Sequence, residues 1–308
     1  MMLDIHGSGL GAEIHGIDPA NPTGIDAGEL REAIYRHKLV VLKDFNPTPE
    51  QFLAFGRHLG EVRKYYEPIY HHPEYPEIFV SSNDQSAGGV PKTGAFWHID
   101  YQFMPEPFAF TMTLPLAVPG TDRGTYFVDL TQAWAQVPEE LKQRVRGTRS
   151  VNSPRRYVKI RPSDVYRPIG EVLQEIEEVT PPQYWPTALK HPVTGEEYLY
   201  ICEAFTESIY RPDPADALPS SPEGRGAGKG EPLKPDVLTE LLHISGQSAD
   251  INPETHPLVH TQHFGVGDAL LWDNRVLTHR AKHGSTPGTV TTHRLTMVDG
   301  HPTPGLPA

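Results

Sequence analysis

The chain has 308 residues, of which 37% are hydrophobic and 21% charged, so it can form a folded globular protein with a sizeable core. The formal net charge is −12 and no long run of Lys or Arg occurs, which argues against nucleic acid as the main partner. No segment approaches the roughly 18 apolar residues of a membrane span, so no membrane partner is expected.

Counts of individual residue types narrow the protein class further. The single cysteine, Cys202, excludes an intrachain disulfide framework and zinc motifs built from several cysteines. The first residues show no basic segment followed by an apolar one, so we expect a cytoplasmic protein without a signal peptide. The 16 His residues are a supply of neutral metal ligands. The 32 Pro residues indicate short elements and long loops, which suit a β-rich core.

The first sixty residues contain clear helix and strand signals. A helix is predicted over 28–38, and a buried strand follows over 39–42. A second helix is predicted after Thr48, which is a good N-cap, because Pro49 takes the first helical position and Gln51 the third.

The rest of the chain alternates short strands, helices and loops. Residues 88–94 are predicted to form a loop. The segment 211–235 is rich in Pro, Gly, Ser and charge and is predicted to be a mobile surface loop or lid within a single domain spanning 1–308. Mostly antiparallel strands with outer helices indicate a mainly β sandwich or barrel. The predicted strands are 78–81, 108–114, 125–130, 197–202, 269–272 and 291–298, and the predicted outer helices are 133–145 and 170–178.

Two histidines and one carboxylate form the main candidate site. In His98-Ile99-Asp100 the two polar side chains would face the same way on a strand, because strand side chains alternate. His279 follows an apolar strand and a polar turn, and Arg294 lies fifteen residues later. Two imidazoles and one carboxylate are the ligand set of non-haem Fe(II) oxygenases, and a nearby guanidinium can bind a carboxylate bidentately. Zinc accepts the same ligands, but hydrolytic zinc sites do not call for an arginine at this spacing.

With these residues, the chain resembles the Fe(II)/2-oxoglutarate-dependent dioxygenases of the taurine dioxygenase/TfdA type. The resemblance extends from Gly11-Ala12-Glu13-Ile14 to about Asp299 and includes a W-D-N-R-x-x-x-H run at 272–279. It implies a double-stranded β-helix (jelly-roll, cupin-like) core with flanking helices, and a requirement for O2. It also implies roles for individual residues: Fe(II) held by His98, Asp100 and His279, and 2-oxoglutarate held through its C5 carboxylate by Arg294, with a contact from Thr125 after Gly124.

Further cationic and phenolic residues in the sequence predict a substrate pocket. Three tyrosines occur within 65–70, and Lys159 and Arg161 would lie on one face if their segment were extended. His283 follows His279 by four residues. Such groups beyond the co-substrate arginine indicate a substrate with more than one carboxylate, although surface or core packing would also account for them.

The same stretches resemble a narrower group, the isonitrile-forming dioxygenases of bacterial isonitrile lipopeptide biosynthesis. The resemblance implies a small-molecule substrate derived from a fatty acid and carrying two carboxylates, an N-carboxymethyl (glycine-derived) 3-amino fatty acid. Two 2-oxoglutarate/O2 turnovers would convert its N–CH2–COOH unit to the isonitrile with loss of CO2. The matching runs are 65–68, 77–83, 89–94, 98–105 and 159–162. The residues implied to hold the substrate carboxylates are Tyr65, Tyr66, Tyr70, Lys159, Arg161 and His283, and those implied to pack near the substrate are Phe103 and Phe205.

Two other functions remain open from the sequence. A hydroxylase of a sulfonate or another small acid in the same superfamily would keep the iron and Arg294 but use the Tyr, Lys and Arg residues differently. The chain could also be a non-catalytic binding protein, but the intact set of ligand residues argues against this. The acyl length of the substrate and the oligomeric state stay open.

Overall fold

A computed structural model describes residues 3–213, 230–302 and 306–307. No helix in these ranges has the length and apolar character needed to cross a bilayer. The helices are α1 Ala27–His37, α2 Pro49–Leu59, α3 Leu130–Gln136, α4 Glu139–Val145, α5 Ile169–Val179 and α6 Pro235–Ile244. The strands are β1 Asp4–His6, β2 Ala12–His15, β3 Leu39–Leu42, β4 Glu61–Arg63, β5 Phe79–Ser82, β6 Phe110–Ala117, β7 Gly124–Asp129, β8 Arg149–Asn152, β9 Gln183–Pro186, β10 Ala188–Lys190, β11 Glu197–Leu199, β12 Thr206–Pro212, β13 Gly230–Pro232, β14 Val259–His263, β15 Ala269–Asp273, β16 Leu277–Lys282, β17 Thr291–Val298 and β18 Leu306–Pro307.

Two sheets face each other and form the centre of the fold, and their strands pair antiparallel except for the parallel pair of β2 and β3. The major sheet has the order β1-β2-β3-β15-β6-β17-β4, and β5 also pairs with β17. The minor sheet has the order β14-β7-β16. Leu39, Leu270 and Trp272 of the major sheet share one buried cluster with Phe127 and Leu277 of the minor sheet, so these faces pack together. This sandwich with outer helices is the arrangement predicted for a jelly-roll core.

The central strands β3 and β15 of the major sheet are buried on both faces and carry continuous apolar runs. On β3, Leu39 packs towards the minor sheet, whereas Val40 and Leu42 pack towards the helices on the other side. Both α1 and α2 contribute their apolar faces to this second cluster. Full burial of each such side chain stabilises the fold by about 1.5–3 kcal/mol.

Most predicted elements are present, with differences at their ends. The helix predicted over 133–145 is two helices, α3 and α4, which are separated at Pro138. The strand predicted over 197–202 ends at Leu199, and that predicted over 108–114 runs from Phe110 to Ala117. The ends of these strands differ from the prediction because they are set by partner strands that are distant in sequence.

The predicted mobile loop over 211–235 is described only in part. Residues 214–229 lie outside the described residues. At its two ends, β12 extends to Pro212 and pairs with β13 from Gly230, so these ends belong to a sheet rather than to a loop. The remainder of the loop, and the single-domain assignment, stay predictions.

The N-terminus of α2 offers a test of local stability. The Thr48 side chain accepts a hydrogen bond from the Gln51 amide at 3.2 Å, and the Gln51 side chain accepts one from the Thr48 amide at 2.8 Å. We expect Thr48→Ala to lower the free energy of unfolding by about 1 kcal/mol in urea denaturation. The control is Thr239→Ala, in the exposed interior of α6, which should cost nothing because Ala is the better helix former. Equal stabilities of the two variants would contradict the capping role.

Candidate active site

The first two candidate ligands lie just outside the regular sheets. His98 makes an isolated bridge to His279 on β16, with reciprocal backbone hydrogen bonds of 2.9 Å. Asp100 lies in the turn that follows. The prediction that the H-x-D run forms a strand is therefore wrong. The two side chains still converge, because the bridge positions His98 and the turn directs Asp100 back towards it.

The three side chains form one buried cluster. The Nε2 atom of His98 lies 3.7 Å from Oδ1 of Asp100, and Nε2 of His279 lies 3.6 Å from Oδ2. One ligand atom from each residue falls within 4.8 Å of the others. A single metal ion fits between donor atoms at these separations, and the nitrogen and oxygen donors suit non-haem Fe(II).

Protonation favours metal binding at this cluster. The Nδ1 atom of His98 donates to the Phe96 carbonyl oxygen at 2.9 Å, which leaves the Nε2 lone pair facing the cluster. Burial lowers the pKa of His98, and burial with the neighbouring His98 lowers the pKa of His279 well below its usual range. Both imidazoles are therefore neutral, the form that binds metal.

Asp100 is ionised despite its burial. Burial alone would raise the pKa of Asp100, but the neighbouring Arg294 guanidinium opposes that effect, and the pKa lies below the usual value. The Thr111 hydroxyl also donates to Oδ2 of Asp100 at 2.9 Å. The site thus presents two neutral ligands and one anionic ligand.

Arg294 on β17 lies directly beside this cluster. Its Nη1 donates to Oδ1 of Asp100 at 2.7 Å, and its Nη2 donates to the Tyr101 hydroxyl at 2.9 Å. The guanidinium lies over the Phe79 ring, 4.1 Å from the ring centroid. Burial would lower the pKa of Arg294, but Asp100 and the neighbouring phenols raise it, so the side chain stays charged.

A cavity of about 1070 Å³, including the space at its open mouth, lies over the ligand cluster. Besides the three ligand residues and Arg294, it brings together most of the residues predicted from sequence. Those that line it are Thr125, Tyr65, Tyr70, Lys159, His283, Phe103 and Phe205.

Tyr66 and Arg161 do not line this cavity. They line a separate one of about 240 Å³ beside α5. Arg161 donates to both carboxylate oxygens of Asp164, at 3.0 and 3.1 Å, and to Glu175 at 2.7 Å. The prediction that Lys159 and Arg161 share one face of an extended segment is wrong, because their segment forms no strand and these carboxylates hold Arg161 away from the cavity.

Sequence reasoning missed other residues of the cavity wall. Arg123 and Lys282 line it as further cations, at the β7 and β16 ends that pair at Gly124. The position of Arg123 directly before Gly124-Thr125 was a signal in the sequence. The pKa of His283 is lowered by burial and then by Arg123 and other cations, so this part of the wall attracts anions.

Comparison with known proteins adds a family match. Residues 4–297 match the model of the family described as "Taurine catabolism dioxygenase TauD, TfdA family". The chain is 24% identical over 250 residues to the alpha-ketoglutarate-dependent 2,4-dichlorophenoxyacetate dioxygenase of Burkholderia sp. (strain RASC), covering 76% of this chain and 72% of that protein. It is 28% identical over 297 residues to pentalenolactone F synthase of Streptomyces arenae, covering 92% and 90%.

Solved structures show the same fold. A taurine dioxygenase from Burkholderia xenovorans superposes with a TM-score of 0.66 at 20% identity, covering 97% of this chain and 91% of that one. The structure of AAD-2 in complex with Mn(II) and N-oxalylglycine gives 0.69 at 20% identity, covering 98% and 99%. The predicted mainly β, jelly-roll class is confirmed.

Removing one ligand should weaken metal binding without unfolding the chain. We expect His98→Ala, Asp100→Ala and His279→Ala each to raise the Kd for Fe(II) at least tenfold, measured by anaerobic calorimetry. His293→Ala is the control, because His293 is also buried on a strand but lies outside the ligand cluster. An Fe(II) Kd equal to that of the unaltered chain in a ligand variant would contradict the assignment.

Proposed function

The chain belongs to the TauD, TfdA family, and on that premise we propose that it converts an N-carboxymethyl 3-amino fatty acid to the isonitrile. Enzymes of this family are dioxygenases that depend on Fe(II), 2-oxoglutarate and O2, and the residues present here suit all three requirements. His98, Asp100 and His279 would hold the iron. When bound with 2-oxoglutarate and O2, the iron supplies the oxidising chemistry, which takes two electrons and two protons from the substrate per turnover.

The observation that supports this substrate is the lining of the main cavity. Lys159 and His283 bring basic groups to a wall that also carries the hydroxyls of Tyr65 and Tyr70. Burial raises the pKa of both phenols, so they keep their protons and can donate hydrogen bonds to carboxylate oxygens of a substrate. More carboxylate-binding groups are present than one co-substrate requires, which is consistent with a substrate carrying two carboxylates.

The apolar part of the cavity suits an acyl chain. Phe103 and Phe205 pack edge to face with ring centroids 4.7 Å apart, and both are almost fully buried. Together with the charged wall, these rings would hold the substrate by both ends. Substrate held in this way would present the carbon between nitrogen and carboxylate to the metal ligands.

The proposed reaction has a fixed stoichiometry. Conversion of N–CH2–COOH to N≡C breaks the C–C bond, releases CO2 and removes four electrons and four protons. Two 2-oxoglutarate and two O2 accept these, and they yield two succinates, two more CO2 and two waters. Succinate and isonitrile should therefore form in a ratio of 2:1 from a synthetic N-carboxymethyl-3-aminoalkanoate, measured by mass spectrometry. A hydroxylated product, formed with one succinate per product molecule, would instead identify a hydroxylase.

The role proposed for Arg294 is to bind the C5 carboxylate of 2-oxoglutarate. We expect Arg294→Ala to raise the KM for 2-oxoglutarate strongly, because loss of a buried charged contact costs about 2–4 kcal/mol. Arg294→Lys should restore only part of the affinity, since an ammonium cannot form two parallel bonds to a carboxylate. Initial rates of succinate formation measure both effects. An unchanged KM for 2-oxoglutarate with a raised KM for the substrate would make Arg294 a substrate residue.

Lys159 provides the sharpest test of the substrate. We expect Lys159→Ala to leave Fe(II) and 2-oxoglutarate affinities near normal but to raise the succinate-to-isonitrile ratio above two, because a poorly held substrate uncouples the reaction. Arg156→Ala is the matched control, since it removes an exposed cation from the same segment. Arg161→Ala tests whether the Arg161 side chain exchanges its hydrogen bonds with Asp164 and Glu175 for contact with the substrate. An unchanged ratio and substrate KM in Lys159→Ala would remove Lys159 from the site.

A further inference from the structure

We propose that Asn274 is a positioning residue that holds Asp100 in the geometry needed for metal binding. Asn274 lies in the turn between β15 and β16 and is fully buried. It is not a ligand itself, because the ligand cluster consists of His98, Asp100 and His279. The inference rests on that cluster alone and does not depend on the identity of the substrate.

The Asn274 side chain binds both backbone polar groups of Asp100. Its Oδ1 accepts a hydrogen bond from the Asp100 amide at 2.9 Å, and its Nδ2 donates to the Asp100 carbonyl at 2.8 Å. Nδ2 also donates to the Phe108 carbonyl at 3.2 Å. Only a side-chain amide offers this acceptor and these donors together in so short a side chain. The ligand residue is thereby fixed by a residue 174 positions away.

Asp100 needs this support because its own segment supplies little. It lies in a turn rather than a sheet, so no strand ladder fixes its backbone. The next residue, Tyr101, has φ of +61°, a left-handed conformation that is costly for an aromatic residue. Such a backbone persists only where the surrounding structure holds it. The two hydrogen bonds from Asn274 act directly beside this strained residue.

A buried ion cluster fixes the turn that carries Asn274. Asp273 accepts hydrogen bonds from the Arg275 amide and guanidinium at 2.9 to 3.0 Å, and from His191 at 2.9 Å. Arg275 also donates to Asp299 at 2.9 Å. Asp273 and Arg275 are inaccessible to solvent, so their charges are satisfied by these protein partners rather than by water. The turn therefore provides a rigid support from which Asn274 holds the ligand.

A matched pair of variants tests the proposal. Asn152 is another fully buried asparagine, bonded through Nδ2 to Ser150 and through Oδ1 to Thr206, and it lies outside the ligand cluster and the main cavity. The Kd for Co(II) is measured by absorbance titration of the metal-free full-length chain, well below each variant's Tm. We expect Asn274→Ala to raise this Kd 10- to 100-fold and to alter the visible spectrum of bound Co(II). Asn152→Ala should stay within about twofold of the unaltered chain, whatever its loss of thermal stability.

Three alternative outcomes would contradict the proposal. A Co(II) Kd unchanged in Asn274→Ala would show that Asp100 is positioned without the amide. Equal weakening in Asn274→Ala and Asn152→Ala would show that affinity follows general stability. Asn274→Ser, which keeps a hydroxyl in the turn, serves if the alanine variant does not fold. Failure of both Asn274 variants to fold would assign the residue to the fold rather than to the metal site.

Discussion

The backbone bridge between His98 and His279 is the contact on which the candidate site depends. It joins a loop segment to β16 and brings together two imidazoles that are 181 residues apart in the chain. Closing so long a loop costs conformational entropy, which the facing sheets offset through their shared apolar core. Because β16 belongs to the minor sheet and pairs along β7, the same bridge also places the ligands against the wall that contains Thr125.

Charge balance at the cluster follows from this placement. One carboxylate lies in a buried space with two imidazoles that burial keeps neutral, so Arg294 is the cation that faces it directly. Arg123 and His283 line the same cavity as this pair. The cavity therefore holds basic side chains besides the guanidinium that is paired with Asp100.

Sequence reasoning located what depends on local residues and missed what depends on distant partners. The α2 capping box follows from Thr48 and Gln51 alone, which lie three residues apart. The three candidate ligands, which the structure brings into one cluster, could be singled out because their chemical types are unusual together, yet the strand predicted for His98 was wrong. The bridge partner there comes from β16, and the turn at Asp100 depends on Asn274. Arg161 is held by Asp164, three residues away, and also by Glu175 on α5, whose position no local pattern reveals.

The edge of β17 opposite β6 is divided between two partners. Residues 291–294 pair with β5 and residues 296–298 pair with β4. The segment that connects β4 to β5 is therefore anchored at both ends to β17, the strand that carries Arg294. That connection contains Tyr65, Tyr66 and Tyr70. The candidate metal ligands and Arg294 are carried by other segments. A substitution at Tyr65 or Tyr70 would therefore change the cavity wall while the strand pairing on either side of the connection keeps its register.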